Sequence, residues 1–137
     1  MKKAEEKVLL YHFQDEEKLN SIQTLLTKMK IAFEVLPDDA YVQKVGYLLG
    51  SRGFNQTKAI EEDDFIFPFE VMILFNIKNK RLSQVLNEFR QAGIPSIRFK
   101  AIVTPFNMFW SLRRLCETMQ KEHAAMINKD EESHAEE

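Results

Sequence analysis

A single cysteine, Cys116, stands in a chain of 137 residues. It excludes an intrachain disulfide framework and fits a reducing compartment. No stretch approaches the roughly 18 consecutive apolar residues that a membrane-crossing helix needs. The charged start, Met1-Lys2-Lys3-Ala4-Glu5-Glu6-Lys7, leads into an apolar run too short for a secretory signal. These absences predict a soluble, cytoplasmic protein without a membrane partner. Chemistry-bearing patterns are missing too. His12, His123 and His134 share no metal-ligand spacing, and Cys116 has no arranged base, so neither a metal site nor a thiol nucleophile is expected. Gly50-Ser51-Arg52-Gly53 lacks the Gly-Lys-Ser/Thr ending of a phosphate-binding loop and does not follow a strand. No paired-carboxylate or Ser/His/Asp arrangement stands out, and no cofactor is expected.

What the chain does have is internal similarity at an offset of 63 residues. Val8-Leu9-Leu10-Tyr11 is echoed by Val71-Met72-Ile73-Leu74. Leu19, Ile22, Leu26, Met29 and Ile31 are then matched by Leu82, Val85, Phe89, Ala92 and Ile94. An apolar burst followed by a helical stripe, written twice, predicts two strand–helix–strand units sharing one core.

The first unit reads as a strand from Lys7 to Phe13, a helix capped by Asp15, and a strand from Ile31 to Leu36. Asp38 is the expected cap of a second helix whose buried stripe is Tyr41, Val42, Val45, Leu48 and Leu49, ended by Gly50 in a left-handed turn. Residues 51–69 are irregular. They contain the solvated acidic run Glu61-Glu62-Asp63-Asp64, and Phe65-Ile66-Phe67-Pro68-Phe69, whose rings are expected to plug one end of the core. The second unit has a strand from Glu70 to Asn76, a helix capped by Asn79 and ended by Gly93, and a strand from Ile97 to Val103. In that last strand Ile97, Phe99, Ala101 and Val103 point one way, Arg98 and Lys100 the other. A long helix is then expected from Pro105 to about Ile127, and a disordered acidic tail over residues 130–137.

The first and third strands are apolar on both faces and belong in the middle of a sheet; the second and fourth carry charges and belong at its edges. The expected fold is α+β, with duplicated β-α-β-α units (about 7–50 and 70–127) forming one four-stranded sheet in a single domain over residues 1–129. It is ferredoxin-like with extra helices. A doubly wound open α/β sheet is the alternative.

The most distinctive segment is Lys100-Ala101-Ile102-Val103-Thr104-Pro105-Phe106-Asn107-Met108-Phe109-Trp110. It resembles the K-A-aliphatic-aliphatic-T-x-x-N-x-x-W signature of a bacterial family catalogued as a domain of unknown function. Gly46-Tyr47-Leu48-Leu49-Gly50, followed by Gly53-Phe54, is similar to that family's middle segment. The resemblance spans most of residues 8–123 and implies a fold family, but no reaction, ligand or partner. Local physics accounts for much of the signature. Thr104 suits a helix cap, Pro105 the first helical position, and Asn107 can reach back to the backbone of the cap. Phe106 and Trp110, one turn apart, are expected in the core.

Lys100 on a covered sheet needs a partner or an exit to water. Lys100, Thr104, Asn107 and Arg98 are therefore the candidate site for a small anionic ligand. Charge is uneven: residues 65–123 carry nine basic and four acidic side chains, and residues 124–137 one and five. Without an aromatic–basic motif this does not amount to a nucleic-acid partner. Met108, Leu112, Leu115, Met119 and Met126 form an apolar stripe on the last helix, which at 1.5 Å per residue should overhang a strand of ordinary length. That stripe is the candidate interface of a homodimer. The resulting expectation is a non-catalytic binding or regulatory module that self-associates. One alternative is a small enzyme anchoring an anionic metabolite on Lys100 and Asn107. Another is a weak nucleic-acid binder using Arg81, Arg90, Arg98, Arg113 and Arg114.

Overall fold

The computed structural model describes residues 6–58 and 67–135, with side chains described as far as His123. Strand β1 (Lys7–Tyr11) and strand β3 (Val71–Phe75) lie side by side in the middle of one four-stranded sheet. Their runs of consecutive apolar residues require this. Val8, Leu9, Leu10, Tyr11, Val71, Met72, Ile73 and Leu74 are all buried, which only cover on both faces can achieve. The shorter β2 (Ala32–Val35) and β4 (Phe99–Ile102) form the edges, giving the order β2-β1-β3-β4. Each edge strand runs parallel to its neighbour, and the two central strands are antiparallel, with Leu9 opposite Ile73. The fold is α+β and ferredoxin-like, and its parallel partners are direct neighbours in a mixed sheet.

Helices α1 (Glu16–Lys28) and α3 (Asn79–Gln91) cover one face. Ile22, Leu25 and Leu26 of α1 and Val85 and Phe89 of α3 bury there against Val8, Leu10, Met72 and Leu74. The other face is covered by a 3-10 turn (Asp38–Val42), the single-turn α2 (Val45–Leu48) and α4 (Leu112–Ala135). Phe67 joins that layer at 1 % exposure, with its ring near those of Phe69 and Phe99. This is the plug expected of the phenylalanine-rich segment. Phe65 and the run Glu61 to Asp64 lie outside the described residues.

The helices α1 and α3 begin 63 positions apart, and Lys30 (φ 60°) and Gly93 (φ 75°) follow them at the same spacing in the left-handed region. Strands β1 and β3 correspond at 64. His12 (φ 60°) and Asn76 (φ 58°) leave β1 and β3 in matching left-handed turns, and the second strand–helix loop is one residue shorter. At an offset of 63, Val8, which faces α1, would be matched with Val71, which faces α4. Sequence alone cannot detect this slip, because a strand apolar on both faces has no alternation to fix its register.

Three expected elements differ. Asp15 caps α1, its Oδ1 accepting from the Lys18 N–H at 3.1 Å, but Lys78 rather than Asn79 holds the equivalent place before α3. The second helix is not continuous from Asp38 to Leu49. Gln43 and Lys44 are extended and separate the 3-10 turn from α2. The last helix starts at Leu112 and not at Pro105, because Trp110 is extended after a second 3-10 turn (Asn107–Phe109). Its backbone continues to Ala135, through the acidic segment for which composition alone predicts disorder.

This late start changes the fate of the proposed interface. Leu112 and Leu115, at 0 % and 4 % exposure, are core residues of their own subunit and are unavailable to a partner. Met119 packs partly buried against the same core, Met108 is half-buried, and the side chain of Met126 lies outside the described set. Phe106, expected inside, is 79 % exposed because the turn ends before it can enter a helix face; Trp110 does pack against the core.

Candidate functional site

In a β-α-β unit the carboxyl ends of the parallel strands and the turns after them form a natural crevice. Here those turns are His12-Phe13-Gln14 after β1 and Leu36-Pro37-Asp38-Asp39 after β2. They meet the incoming segment Phe67-Pro68 to form a cleft of about 550 Å³ lined by Tyr11, His12, Gln14, Asp38, Asp39, Tyr41, Phe67 and Pro68. A second depression of about 390 Å³ shares His12, Gln14 and Pro68 and continues to Asp15, Phe69, Glu70 and Arg98. The two make one groove across this end of the sheet.

His12 is the hinge of the groove. Its left-handed backbone turns the ring back over Tyr11, at 3.9 Å between centroids and nearly parallel. Nδ1 lies 2.5 Å from the carbonyl oxygen of Phe67, and Nε2 lies 3.7 Å from Oδ1 of Asp38, whose side chain is 94 % exposed. The Tyr11 hydroxyl donates to the Asp38 carbonyl at 2.9 Å, tying the turn after β2 to the end of β1. Burial, with Cys116 and Asp38 adding to it, pushes the Tyr11 phenol above its ordinary value. On the other side, Lys18 is ion-paired with Glu70, and the Arg98 guanidinium sits 5.0 Å from the Phe69 ring centroid.

Chemically the cleft offers the partly exposed rings of His12 and Tyr41, a proline edge and two carboxylates, over a floor of buried Tyr11 and Phe67. Rings with adjacent carboxylates attract a cation that carries an apolar body. The buried groups nearby are not poised for covalent work. Burial pushes the Cys116 thiol up to about 12, so it stays protonated at neutral pH, and the raised Tyr11 phenol does the same. Among the described residues, no group of three or more His, Cys, Asp or Glu side chains is placed to hold a metal ion, and no helix is long and apolar enough to cross a membrane.

The four residues singled out in the sequence do not come together. Arg98 reaches the groove. Lys100 is exposed on the edge strand and donates to the Ile97 carbonyl at 3.0 Å. Thr104 and Asn107 lie past the opposite end of β4, roughly 20 Å from Arg98 at a strand's rise per residue. There they form the expected reciprocal cap. Asn107 Oδ1 accepts from the Thr104 N–H at 2.7 Å, and Thr104 Oγ1 accepts from the Asn107 N–H at 3.0 Å. Asn107 Nδ2 donates to the Ile102 carbonyl at 3.0 Å, so both ends of this buried amide are engaged. The five arginines considered for nucleic acid are also dispersed. Arg81 pairs with Glu6 and the Met29 carbonyl, Arg113 with Glu117, and Arg114 stacks over Trp110.

Sequence reasoning passed over His12, Asp38, Asp39 and Tyr41. Their signal was position, directly after two strands of one β-α-β unit. The position of Asp38 suits a helix cap, yet it makes no side-chain cap bond.

The same backbone recurs at the opposite end, after β3 and β4, with different side chains. There Gly46 seats the Phe54 ring: a Cβ on Gly46 would fall 2.4 Å from the ring. Phe54 in turn packs on Phe109 at 5.2 Å. No curated protein and no solved structure matches the chain. Residues 70–126, which run from the start of β3 into α4, match the model of a family described as Domain of unknown function (DUF3783).

Proposed function

We propose that this protein is a non-catalytic binding module, built by duplication of one β-α-β unit, whose His12 cleft takes an organic cation with an aromatic or aliphatic body. The observation that carries the reading is the cleft itself: about 550 Å³ at the carboxyl ends of β1 and β2, with His12, Tyr41 and Pro68 beside Asp38 and Asp39 over a floor of buried Tyr11 and Phe67. The alternative enzyme reading loses support because Asn107 engages its side-chain oxygen and one N–H within its own turn, and Lys100 donates to the Ile97 carbonyl.

The test is calorimetric titration with phenethylammonium, and with phenylpropionate as the anionic control. The cation binds and the anion does not. Asp39→Asn weakens the cation at least fivefold, and Tyr41→Ala does likewise. Equal binding of both probes, or of neither, overturns the reading.

A further inference from the structure

We propose that the chain associates head to tail, the Phe106–Phe109 turn of one copy seating in the His12 cleft of the next; this rests on the cleft being a binding site. Four large apolar side chains are exposed among the described residues: Val35, Ile102, Phe106 and Phe109. Three of them belong to the short segment from the end of β4 through the second 3-10 turn. Phe106 and Phe109 are 79 % and 65 % exposed. In a 3-10 turn, residues three apart lie on one side, so the two rings project together as a knob. The knob is held from behind, since Phe109 rests on Phe54 and Phe54 on Gly46. Exposed apolar groups of this size mark a surface that another molecule covers.

Charge identifies the occupant. Beside the knob, Arg114 stacks over Trp110 and Lys44 bridges to Ser111, while Arg113 is paired with Glu117. Residues 43–58, which supply Phe54, contain Lys44, Arg52 and Lys58 and no carboxylate. The knob therefore has cationic side chains next to it. The cleft is its complement: the partly exposed rings of His12 and Tyr41, the Pro68 edge, and the exposed carboxylates of Asp38 and Asp39. A cationic surface carrying aromatic rings is the chemistry the cleft accepts.

Because β1 and β3 are antiparallel, the cleft and the knob lie at opposite ends of the sheet. Contact between them is heterologous and leaves a free cleft and a free knob at the two ends of any assembly. The edge of β4 is a poorer surface for self-association, since Lys100 on each copy would oppose its like across a strand pair.

The test is complementation. Phe106→Asp removes the knob and keeps the cleft; Asp39→Lys does the reverse. Both sites are exposed, so both variants should fold, as circular dichroism will confirm. Sedimentation velocity of the wild-type chain shows mass rising with concentration past a dimer. Each variant alone stays monomeric. An equimolar mixture forms a one-to-one dimer and nothing larger, because one intact cleft meets one intact knob. A wild-type monomer at several hundred micromolar, a dimer that survives in Phe106→Asp alone, or a mixture that stays monomeric overturns the proposal. Phenethylammonium titrated into the same wild-type sample separates the two claims. If the cation binds and the chain does not associate, only the head-to-tail contact is lost.

Discussion

Lys44 and Ser111 face each other in an isolated antiparallel bridge where the two halves of the chain cross. The hydrogen bonds beside them are reciprocal: the Val45 N–H donates to the Trp110 carbonyl at 2.9 Å, and the Leu112 N–H donates to the Gln43 carbonyl at 2.8 Å. Each residue stands 67 positions from its counterpart, the same offset that relates β2 (Ala32–Val35) to β4 (Phe99–Ile102). The crossing explains why both halves insert an extended pair of residues between a 3-10 turn and a helix. A continuous helix on either side would have no free N–H or carbonyl to offer the other.

Because Leu112 follows that crossing and is fully buried, its truncation is a test of which surface it serves. Leu112→Ala should cost about 3 kcal/mol of stability, as for other buried leucines. The self-association of the chain should match wild type at temperatures where the variant is folded. Urea denaturation and sedimentation read the two effects separately. An unchanged denaturation midpoint with lost association would return Leu112 to a subunit interface.

The Asn107 side chain makes two hydrogen bonds, accepting from the Thr104 N–H and donating to the Ile102 carbonyl. Asn107→Ala leaves the Thr104 N–H and the Ile102 carbonyl without those partners, at a cost of about 2 kcal/mol. Asn107→Asp keeps the acceptor for Thr104 but sets a carboxylate oxygen against the Ile102 carbonyl in a buried site, so at neutral pH it should cost at least as much as alanine. A loss smaller than that of alanine would mean the Thr104 bond outweighs the contact with Ile102.

Burial pattern was legible in the sequence, and side-chain association across the fold was not. Two fully apolar strands and two that carry charges were enough to place β1 and β3 centrally. Asp15 and the Thr104–Asn107 pair declared themselves because capping is a local interaction, read from residues three apart. The cleft is not local: His12, Asp38 and Phe67 are brought together by parallel pairing of β1 with β2 and by a long connection. Exposure of Phe106 was equally hidden. Its spacing to Trp110 suits a helix, and only the extended residues at the crossing, a tertiary effect, cut that helix short.

Lys30 and Gly93 occupy equivalent left-handed positions, but only one is glycine. A side chain in that region costs about 1 kcal/mol relative to glycine. Lys30→Gly should therefore stabilise the protein by up to about 1 kcal/mol, and Gly93→Ala should destabilise it by a similar amount. Chemical denaturation of both variants checks the pair. Opposite signs are required.

Cys116 gives the protein a pH dependence in the alkaline range. Its folded thiol lies near 12, above the ordinary 9.0. A group raised in this way favours folding while it is neutral. Its contribution is complete below about pH 9 and is lost as pH climbs toward 12, because the unfolded thiol ionises first. The Tyr11 phenol, also raised, acts with the same sign from its ordinary value of 10.0 upward. Denaturation midpoints should fall above pH 9 in the wild-type chain and less steeply in Cys116→Ala, which starts lower at neutral pH. Thiol labelling at pH 8 should require denaturant.

Gly46 offers the sharpest test of how the knob is built. A Cβ there would meet the Phe54 ring at 2.4 Å, well inside contact distance, so either the ring leaves its seat or the α2 turn shifts. Gly46→Ala should destabilise the protein by about 2 kcal/mol, in the range of other overpacking substitutions. Phe54→Ala removes the ring and with it the support behind Phe109. In the double variant the clash has no second partner, so the loss should fall well short of the sum of the two singles. Additive losses would place the damage in the α2 backbone instead. Association gives a second reading of the same series: Phe54→Ala, which frees the Phe109 ring to move, should weaken self-association even though Phe54 itself touches no second copy.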